Sequence, residues 1–310
     1  MDKKIKLSII LVSYNTKEYT KRALESIITE TKTTDYEVIV VDNNSTDGSY
    51  EELKANYKEF TVVNTYNNLG FAGGVHKGVE LSKGEYLLLL NPDTVVVNRG
   101  IDNLFDFAIE NPNNGIWGGV TLNNDLSVNT QHAWARHDLF SLLFSALGVS
   151  KVFSNTCIFN KINYGCWRRD SVKEVDIISG CFFLTTRELW ESLGGLDCSF
   201  FMYAEEADYC LRASKMGHKP IVTPNARVIH HGGVSHNNLS SKMIKLLKGK
   251  VELIKRHDDP LKQKIYIALL VLYVKNKLLF SVLSGNNDII KQWREINARN
   301  DEWKKGYPNE

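Results

Sequence analysis

The chain has 310 residues, 43% hydrophobic and 24% charged, an ordinary globular composition with enough apolar material for a large core in one domain or two. Its 38 Lys and Arg against 36 Asp and Glu leave a formal net charge of +2, so nothing argues for wholesale nucleic-acid binding. The five cysteines, Cys157, Cys166, Cys181, Cys198 and Cys210, show no CxxC pair or regular metal-ligand spacing, and reduced, mostly buried thiols in a cytoplasmic protein are expected.

Met1-Asp2-Lys3-Lys4 followed by Leu7-Ser8-Ile9-Ile10-Leu11-Val12 has the outline of a leader. The apolar run is too short, however, and Ser13-Tyr14-Asn15 followed by charges is no cleavage site. Leu7 to Ser13 is therefore read as a first strand covered on both faces. No apolar stretch approaches the ~20 residues needed to span a bilayer.

Thr16 is placed to cap a helix in which Ala23, Leu24, Ile27 and Ile28 recur at helical spacing. Glu37 to Val41 gives a second strand, ended by the turn formers Asp42-Asn43-Asn44-Ser45-Thr46-Asp47-Gly48. Phe60 to Asn64 and Tyr86 to Leu90 supply two more strands, with a helix over Ala72 to Leu81 between them. This alternation predicts right-handed crossovers and a mostly parallel sheet, and ligands bind such sheets at the carboxyl ends of their strands. Those ends carry Ser13-Tyr14-Asn15, Asp42-Asn43 and Asn91-Pro92-Asp93. Convergence of polar groups from three strands is the first pointer to a site.

A helix after Asn98 leads to an apolar run at Ile116 to Val120. Residues 123–174 mix aromatics with His132, Arg136, His137, Arg168 and Arg169 and read as an elaborated insertion. Its Trp134 and Arg136, with the two later arginines, are equally well a contact to sugar or diphosphate and a solvated surface. Order returns at Val175 to Gly180, then Phe182 to Leu184, a helix at Arg187 to Leu193 and another from about Glu205 to Met216. Two short strands are expected next, ending at Val228-Ile229-His230. Beyond Ser235 the tail is helical and basic.

Several of these segments resemble glycosyltransferase family 2. Ile9 to Asn15, Val40 to Ser49 and Asn68-Leu69-Gly70-Phe71-Ala72-Gly73-Gly74 are similar to its donor half, and Leu90-Asn91-Pro92-Asp93-Thr94 stands where its metal motif lies. Ser179-Gly180-Cys181-Phe182-Phe183, Gly194-Gly195-Leu196-Asp197 and Glu205-Glu206-Ala207-Asp208-Tyr209-Cys210-Leu211-Arg212 are similar to the acceptor half in order and spacing. The resemblance covers about residues 6 to 236 and is closest to the branch of rhamnosyl- and galactofuranosyltransferases. It implies an α/β fold of GT-A type in residues 1–236, donor half about 1–120 and acceptor half about 121–236, with a helical extension over 237–310.

It also implies an inverting, metal-dependent transfer of a sugar, rhamnose from dTDP-rhamnose in the first instance and a UDP-hexose or UDP-galactofuranose otherwise. The acceptor would be a hydroxyl of a glycan or lipid-linked glycan in cell-surface polysaccharide synthesis. The leaving nucleoside diphosphate gains charge as the glycosidic bond breaks, and a divalent cation, Mn2+ or Mg2+, offsets it. The resemblance makes Asp93 its carboxylate ligand and His230 its imidazole ligand, with Ser235 following. Where the family often carries Asp-x-Asp, this chain has Asn91-Pro92-Asp93, so one acidic ligand remains; read alone, the segment is as well a simple turn. Ser13, Tyr14, Asn15, Asp42, Asn68, Gly70, Gly73 and Asn91 fall on the nucleotide-sugar side. Asp42 also has the bland role of capping its own loop, and Gly74 shares with Gly70 and Gly73 the ability to bring backbone close to a ligand. His76 replaces a family asparagine and is a substitute contact, whereas His231 and His236 are read as bystanders.

The family's base falls on Glu206, a glutamate where the family has aspartate. Glu205 and Asp208 flank it. Asp208 and Arg212, four apart on a helix, also suit a salt bridge. Ser179, Gly180 and Cys181 fall on the acceptor side, with Asp197 and Tyr203 as weaker candidates. The apolar run Ile265 to Val274, flanked by Lys262, Lys264, Lys275 and Lys277, suits either the inner face of an anionic plasma membrane or packing on the catalytic domain or a second copy of the chain. Two rivals remain. One is a non-catalytic nucleotide-sugar or carbohydrate-binding protein on a decayed scaffold. The other is a nucleotidyltransferase, which would bring a glycine-rich, basic loop after the first strand.

Overall fold

The computed structural model describes residues 5–232 and 239–307. Its elements in chain order are β1 (Leu7–Ser13), α1 (Lys17–Glu30), β2 (Tyr36–Asp42), α2 (Ser49–Asn56), β3 (Thr61–Asn64), α3 (Gly70–Leu81), β4 (Tyr86–Leu90), β5 (Thr94–Val97), α4 (Gly100–Glu110), β6 (Ile116–Leu122) and β7 (Val128–Asn129). There follow β8 (Ala133–Trp134), α5 (Leu139–Ala146), α6 (Val149–Val152), β9 (Lys173–Glu174), β10 (Ile177–Ile178), β11 (Phe182–Thr186), α7 (Arg187–Leu193), α8 (Glu205–Lys215) and β12 (Ile221–His230). The tail forms α9 (Leu239–His257), α10 (Pro260–Ser284), α11 (Asn287–Ala298) and α12 (Asn300–Trp303).

The chain divides into two compact units, and neither is continuous in sequence. The first comprises Met1–Ala133, Arg169–Phe201 and Glu206–Ser235; the second comprises Trp134–Arg168, Met202–Glu205 and His236–Glu310. A linear division at residue 236 falls within 233–238, outside the described residues, and does not express this interleaving.

The first unit is built on one mixed sheet in the order β3-β2-β1-β4-β11-β6-β12-β5, with β7 beside β6 and β9 beside β12. β3, β2, β1 and β4 run parallel, while β11 is antiparallel to both β4 and β6. Alternation decides which side chains go to which face. Leu7, Ile9 and Leu11 of β1 join Ala23, Leu24 and Ile27 of α1 and Ile101, Leu104 and Phe105 of α4 in one core. Ile10 and Val12 point to the opposite face, where α3 lies so close that a Cβ on Gly74 would come within 2.6 Å of Val12. Both faces of β1 are thus covered, which explains its unbroken apolar run.

Several expectations need correcting. Thr16 sits at the start of α1 but makes no capping bond; its hydroxyl pairs with Ser13 and Thr20, and Asp47 accepts from the Lys17 amide at 3.0 Å instead. Ile28 is exposed rather than part of the helix's buried stripe. The two short strands before His230 are one strand, β12, whose pairing with β6 shifts between Thr223 and Arg227. β5 has no counterpart in the sequence reading.

In the second unit, α9, α10, α11, α12 and Leu142 of α5 share a core that includes Tyr266, Leu270, Val274, Trp293 and the fully buried Trp303. α10, at 25 residues, is long and apolar enough by length and composition to cross a membrane, which overturns the reading that no stretch approaches that length. Lys275 and Lys277 interrupt the run in sequence without ending the helix. The expectation of reduced, mostly buried thiols also fails. Cys157 and Cys166 are bonded to each other, both exposed, and of the other three only Cys181 and Cys210 are buried.

Candidate active site

The site sits where β5 and β12 meet, and strand register creates it. β12 pairs antiparallel with β5 so that His230 lies opposite Thr94. The ladder continues for one more bond, from the His231 amide to the Asp93 carbonyl at 3.0 Å. Asp93, one residue before β5, is thereby brought to its neighbour, with its Oδ1 3.2 Å from His230 Nε2. Burial alone would raise the Asp93 pKa, but the hydrogen bond and charge of His230 hold it below the ordinary carboxylate value. For His230, burial would favour the neutral ring, yet Cys181 and Asp93 beside it raise its pKa to about 10.

Asn91 and Cys181 complete this end of the cleft. The Asn91 side-chain amide lies 3.4 Å from His230 Nε2, and its backbone amide donates to the Cys181 carbonyl at 3.1 Å. Gly180, one residue earlier, is flanked by Phe71 and by Glu206, whose Cβ stands 3.8 Å from where a Gly180 side chain would begin. Asp93 and His230 are thus in direct contact with Cys181 beside them, and Glu206 lies at ordinary van der Waals distance from Gly180, all in the first unit. Ser179 is anchored through its amide to the His132 carbonyl at 2.8 Å.

A second cluster is formed by the loops after β1 and β2. The Asn15 side chain accepts from the Thr46 amide at 2.8 Å, and its own amide donates to Ser45 at 2.9 Å. Asn43 ties this region to the start of α3. Its amide nitrogen donates to Asn68 and to the Gly70 carbonyl, and its oxygen accepts from the Leu69 amide. Gly70 adopts φ +71°, and any side chain there would strike the Phe201 carbonyl, so glycine is required for both reasons. Asn43, named with Asp42 among the polar residues at the strand ends but given no separate role there, is a positioning residue. Tyr14 and Asn68 are exposed at this edge, and Gly73 packs on Leu69.

Other candidates have structural duties. Ser13 is buried in a hydroxyl cluster with Thr16 and Thr20. Asp42 is fully buried and accepts from the Ser45 amide, Asn64 and Ser49, so it organises its own loop. Asp208 is buried and paired with Arg212 at 2.7 Å, and that guanidinium also donates to the Leu193 and Gly195 carbonyls. His76 is held against the Leu196 carbonyl at 2.7 Å and the Trp190 ring rather than facing the edge. Asp197 caps its own turn through Ser199. Arg136 belongs to the second unit, where it donates to the His257 carbonyl and Asp258. Arg169 is buried and donates to the Thr130 carbonyl. Glu205 and Tyr203 lie in the second unit, where Glu205 is buried. Ser235 and His236 lie outside the described residues.

The donor chemistry at Asp93 and His230 suits a hard divalent ion. A carboxylate and an imidazole are the two protein groups that would hold a divalent ion such as Mg2+ or Mn2+ there. Among the described residues there is no group of three His, Cys, Asp or Glu that could hold a metal ion by itself.

Comparison with known proteins gives a consistent outcome. Residues 8–208 match the model of Glycosyl transferase family 2. The N-acetylglucosaminyl-diphospho-decaprenol L-rhamnosyltransferase of Mycobacterium tuberculosis is 26% identical over 240 residues, which is 73% of this chain and 76% of that protein. The poly(ribitol-phosphate) beta-N-acetylglucosaminyltransferase TarP of Staphylococcus aureus is 28% identical over 170 residues, 51% of this chain and 52% of the relative. Among solved structures, a mannosyltransferase from Pyrobaculum calidifontis in complex with GDP-Man and Mn2+ superimposes with a TM-score of 0.59 at 17% identity, covering 97% of this chain and 84% of that one. GalNAc-T7 with UDP, GalNAc and Mn2+ gives 0.64, also at 17% identity, covering 99% of this chain and 59% of that one. The fold is of GT-A type.

Proposed function

The chain belongs to the family 2 glycosyltransferases, and on that premise we propose that it moves a sugar from a nucleoside-diphosphate donor to a hydroxyl of a glycan or lipid-linked glycan, with inversion. The observation that carries this reading is the juxtaposition of Asp93 and His230 at 3.2 Å with Glu206 standing beside Gly180. Asp93 and His230 are the residues that would hold a divalent cation, Mn2+ or Mg2+. Such an ion neutralises the charge that develops on the departing diphosphate. Glu206 accepts the proton of the attacking hydroxyl, which direct displacement requires of one base on the acceptor side. The Asn15–Thr46 and Asn43–Asn68 links hold the exposed loops at the strand ends in the arrangement that receives the nucleotide.

Rhamnose from dTDP-rhamnose is the favoured donor and a lipid-linked glycan the favoured acceptor. Support comes from the likeness to the mycobacterial protein, whose name gives an L-rhamnosyltransferase acting on a sugar diphospho-decaprenol. The test is a thermal-shift series with dTDP-rhamnose, UDP-hexoses and UDP-galactofuranose in the presence of Mn2+, since a ligand that binds only the native state raises its melting temperature. It is followed by measurement of nucleoside diphosphate release and of the anomeric configuration of the product. Stabilisation by dTDP-rhamnose above the UDP-sugars and an inverted product are expected. A retained configuration would remove the single-displacement mechanism, and preference for a UDP-sugar would remove the rhamnosyl assignment.

A further inference from the structure

The second unit carries a set of large apolar side chains on its surface. Phe140 (65% exposed), Val152 (77%), Ile158 (71%), Phe280 (53%) and Leu283 (73%) all face solvent. They form one region. Phe140 neighbours Phe144, Phe144 and Phe153 both pack on Phe159, and Phe280 reaches to within 3.8 Å of a side-chain position at Gly148. Asn276 of α10 donates to the Ala146 carbonyl at the end of α5, which fixes α10 against this helix pair. Isolated exposed leucines are ordinary, but a connected set of large aliphatic and aromatic side chains marks a contact surface.

The charge pattern identifies the partner. There is no Asp or Glu between Asp138 and Asp170, nor between Asp259 and Asp288, although the whole chain is nearly neutral. Lys151, Lys161, Lys264, Lys275 and Lys277 fall in these two segments. Lys161 is paired with Asp138. Lys277 stands over the Tyr273 ring on α10, 5.4 Å from its centroid, and Lys151 is exposed on α6. A second copy of the chain meeting this face by a two-fold axis would set lysine against lysine. An anionic leaflet accepts the apolar side chains below its headgroups and the lysines among them.

We propose that the face formed by α5, α6, the 153–168 loop and the last turns of α10 docks on the surface of an anionic phospholipid bilayer. The proposed surface does not draw on Tyr266, Leu270 and Val274 of the run Ile265 to Val274, which are buried in the helical core. The exposed apolar residues lie one turn and more further along α10 and on the insertion.

The experiment is co-sedimentation of the full chain with vesicles of phosphatidylcholine alone and of equal parts phosphatidylcholine and phosphatidylglycerol. Pelleting is expected only with the anionic vesicles and is expected to weaken as salt is raised. K151E and K275E should each lower vesicle affinity by about fivefold or more. The triple variant F140S/F280S/L283S should lower it by at least about tenfold. All these positions are exposed or flank the surface, so melting temperatures should match the parent. Equal pelleting with both vesicle types, or none with either, overturns the proposal. A dimer that the triple variant dissolves, without vesicle binding, overturns it as well. Retention after an alkaline carbonate wash would make α10 a spanning helix and has the same consequence. Asp93→Ala should bind vesicles like the parent, which keeps this test separate from that of the catalytic reading.

Discussion

The two units put their apolar side chains to different use. The first arranges it in strands whose ends deliver polar residues to one edge, so position along the chain translates into position at a site. The second packs helices around Trp293 and Trp303 and leaves part of its apolar surface outside. The contrast teaches that a parallel sheet makes chemistry readable from sequence, because side chains after a buried strand have one place to go. A helical unit assembled from separated segments offers no such edge.

The sharpest way to break this comparison is at the site itself. Glu206→Gln is expected to lower turnover by about 10²–10⁴-fold, the usual contribution of a positioned base, with an unchanged melting temperature. Asp93→Ala should be at least as damaging to transfer, and its loss should not be restored by excess Mn2+. Near-normal turnover in Glu206→Gln would move the base elsewhere. Next in size are the cores. Trp117→Ala in the first unit and Trp303→Ala in the second, both fully buried, should each cost about 3–5 kcal/mol in denaturant titrations. A small loss for Trp303→Ala would mean that the helical core is not a close-packed one.

Asp102 gives a pH test confined to the first unit. Burial would raise its pKa, but the amides of Lys32, Thr33 and Thr34 and the Thr34 hydroxyl outweigh burial and bring it to about 2. Its folded value lies below its unfolded one, so its contribution is complete above pH ~4 and is lost as pH falls toward ~2. Asp102→Ala should cost about 2 kcal/mol at neutral pH and flatten the stability profile across that acid window. The smallest effect belongs to the start of α1. Asp47→Ala should cost about 1 kcal/mol, the usual value of a lost cap, because the Lys17 amide depends on Asp47 and not on Thr16. Titration of the unfolded, unreduced chain should find three thiols, Cys181, Cys198 and Cys210, all from the first unit, because Cys157 and Cys166 of the second are bonded to each other.

Much of the first unit was legible because its signals are local. β1, β2 and β4 are unbroken apolar runs ended by turn formers, and the helix over α3 follows from its spacing. β5 was missed because Thr94–Val97 is short and follows Asn91-Pro92-Asp93, which reads as a turn whether or not a strand comes next. β12 was read as two strands because Pro224-Asn225 is a turn signal placed inside a continuous element. At the site, residue types and positions could be named in advance, but their duties depend on hydrogen bonds that spacing does not encode. Asp42 faces inward to Ser45, Ser49 and Asn64, and His76 is held by the Leu196 carbonyl. The second unit was opaque for a topological reason: residues 134–168 find their partners about a hundred positions later, as Arg136 does with Asp258. The bond between Cys157 and Cys166 was equally hidden, since nothing in their spacing distinguishes partners from strangers.

The irregularity in β12 has a consequence for how the Asp93–His230 pair can vary. Thr223 pairs with Gly119 and Arg227 with Val120, so Pro224, Asn225 and Ala226 are surplus to the ladder. Side chains alternate along a strand, and adding or deleting one residue in that surplus would bring Ile229 or His231 into line with Asp93 while turning the His230 imidazole to the other face. Residues 224–226 therefore act as a length gauge: one residue more would put the Ile229 hydrocarbon in place of the His230 nitrogen donor, and one fewer would put the His231 imidazole there.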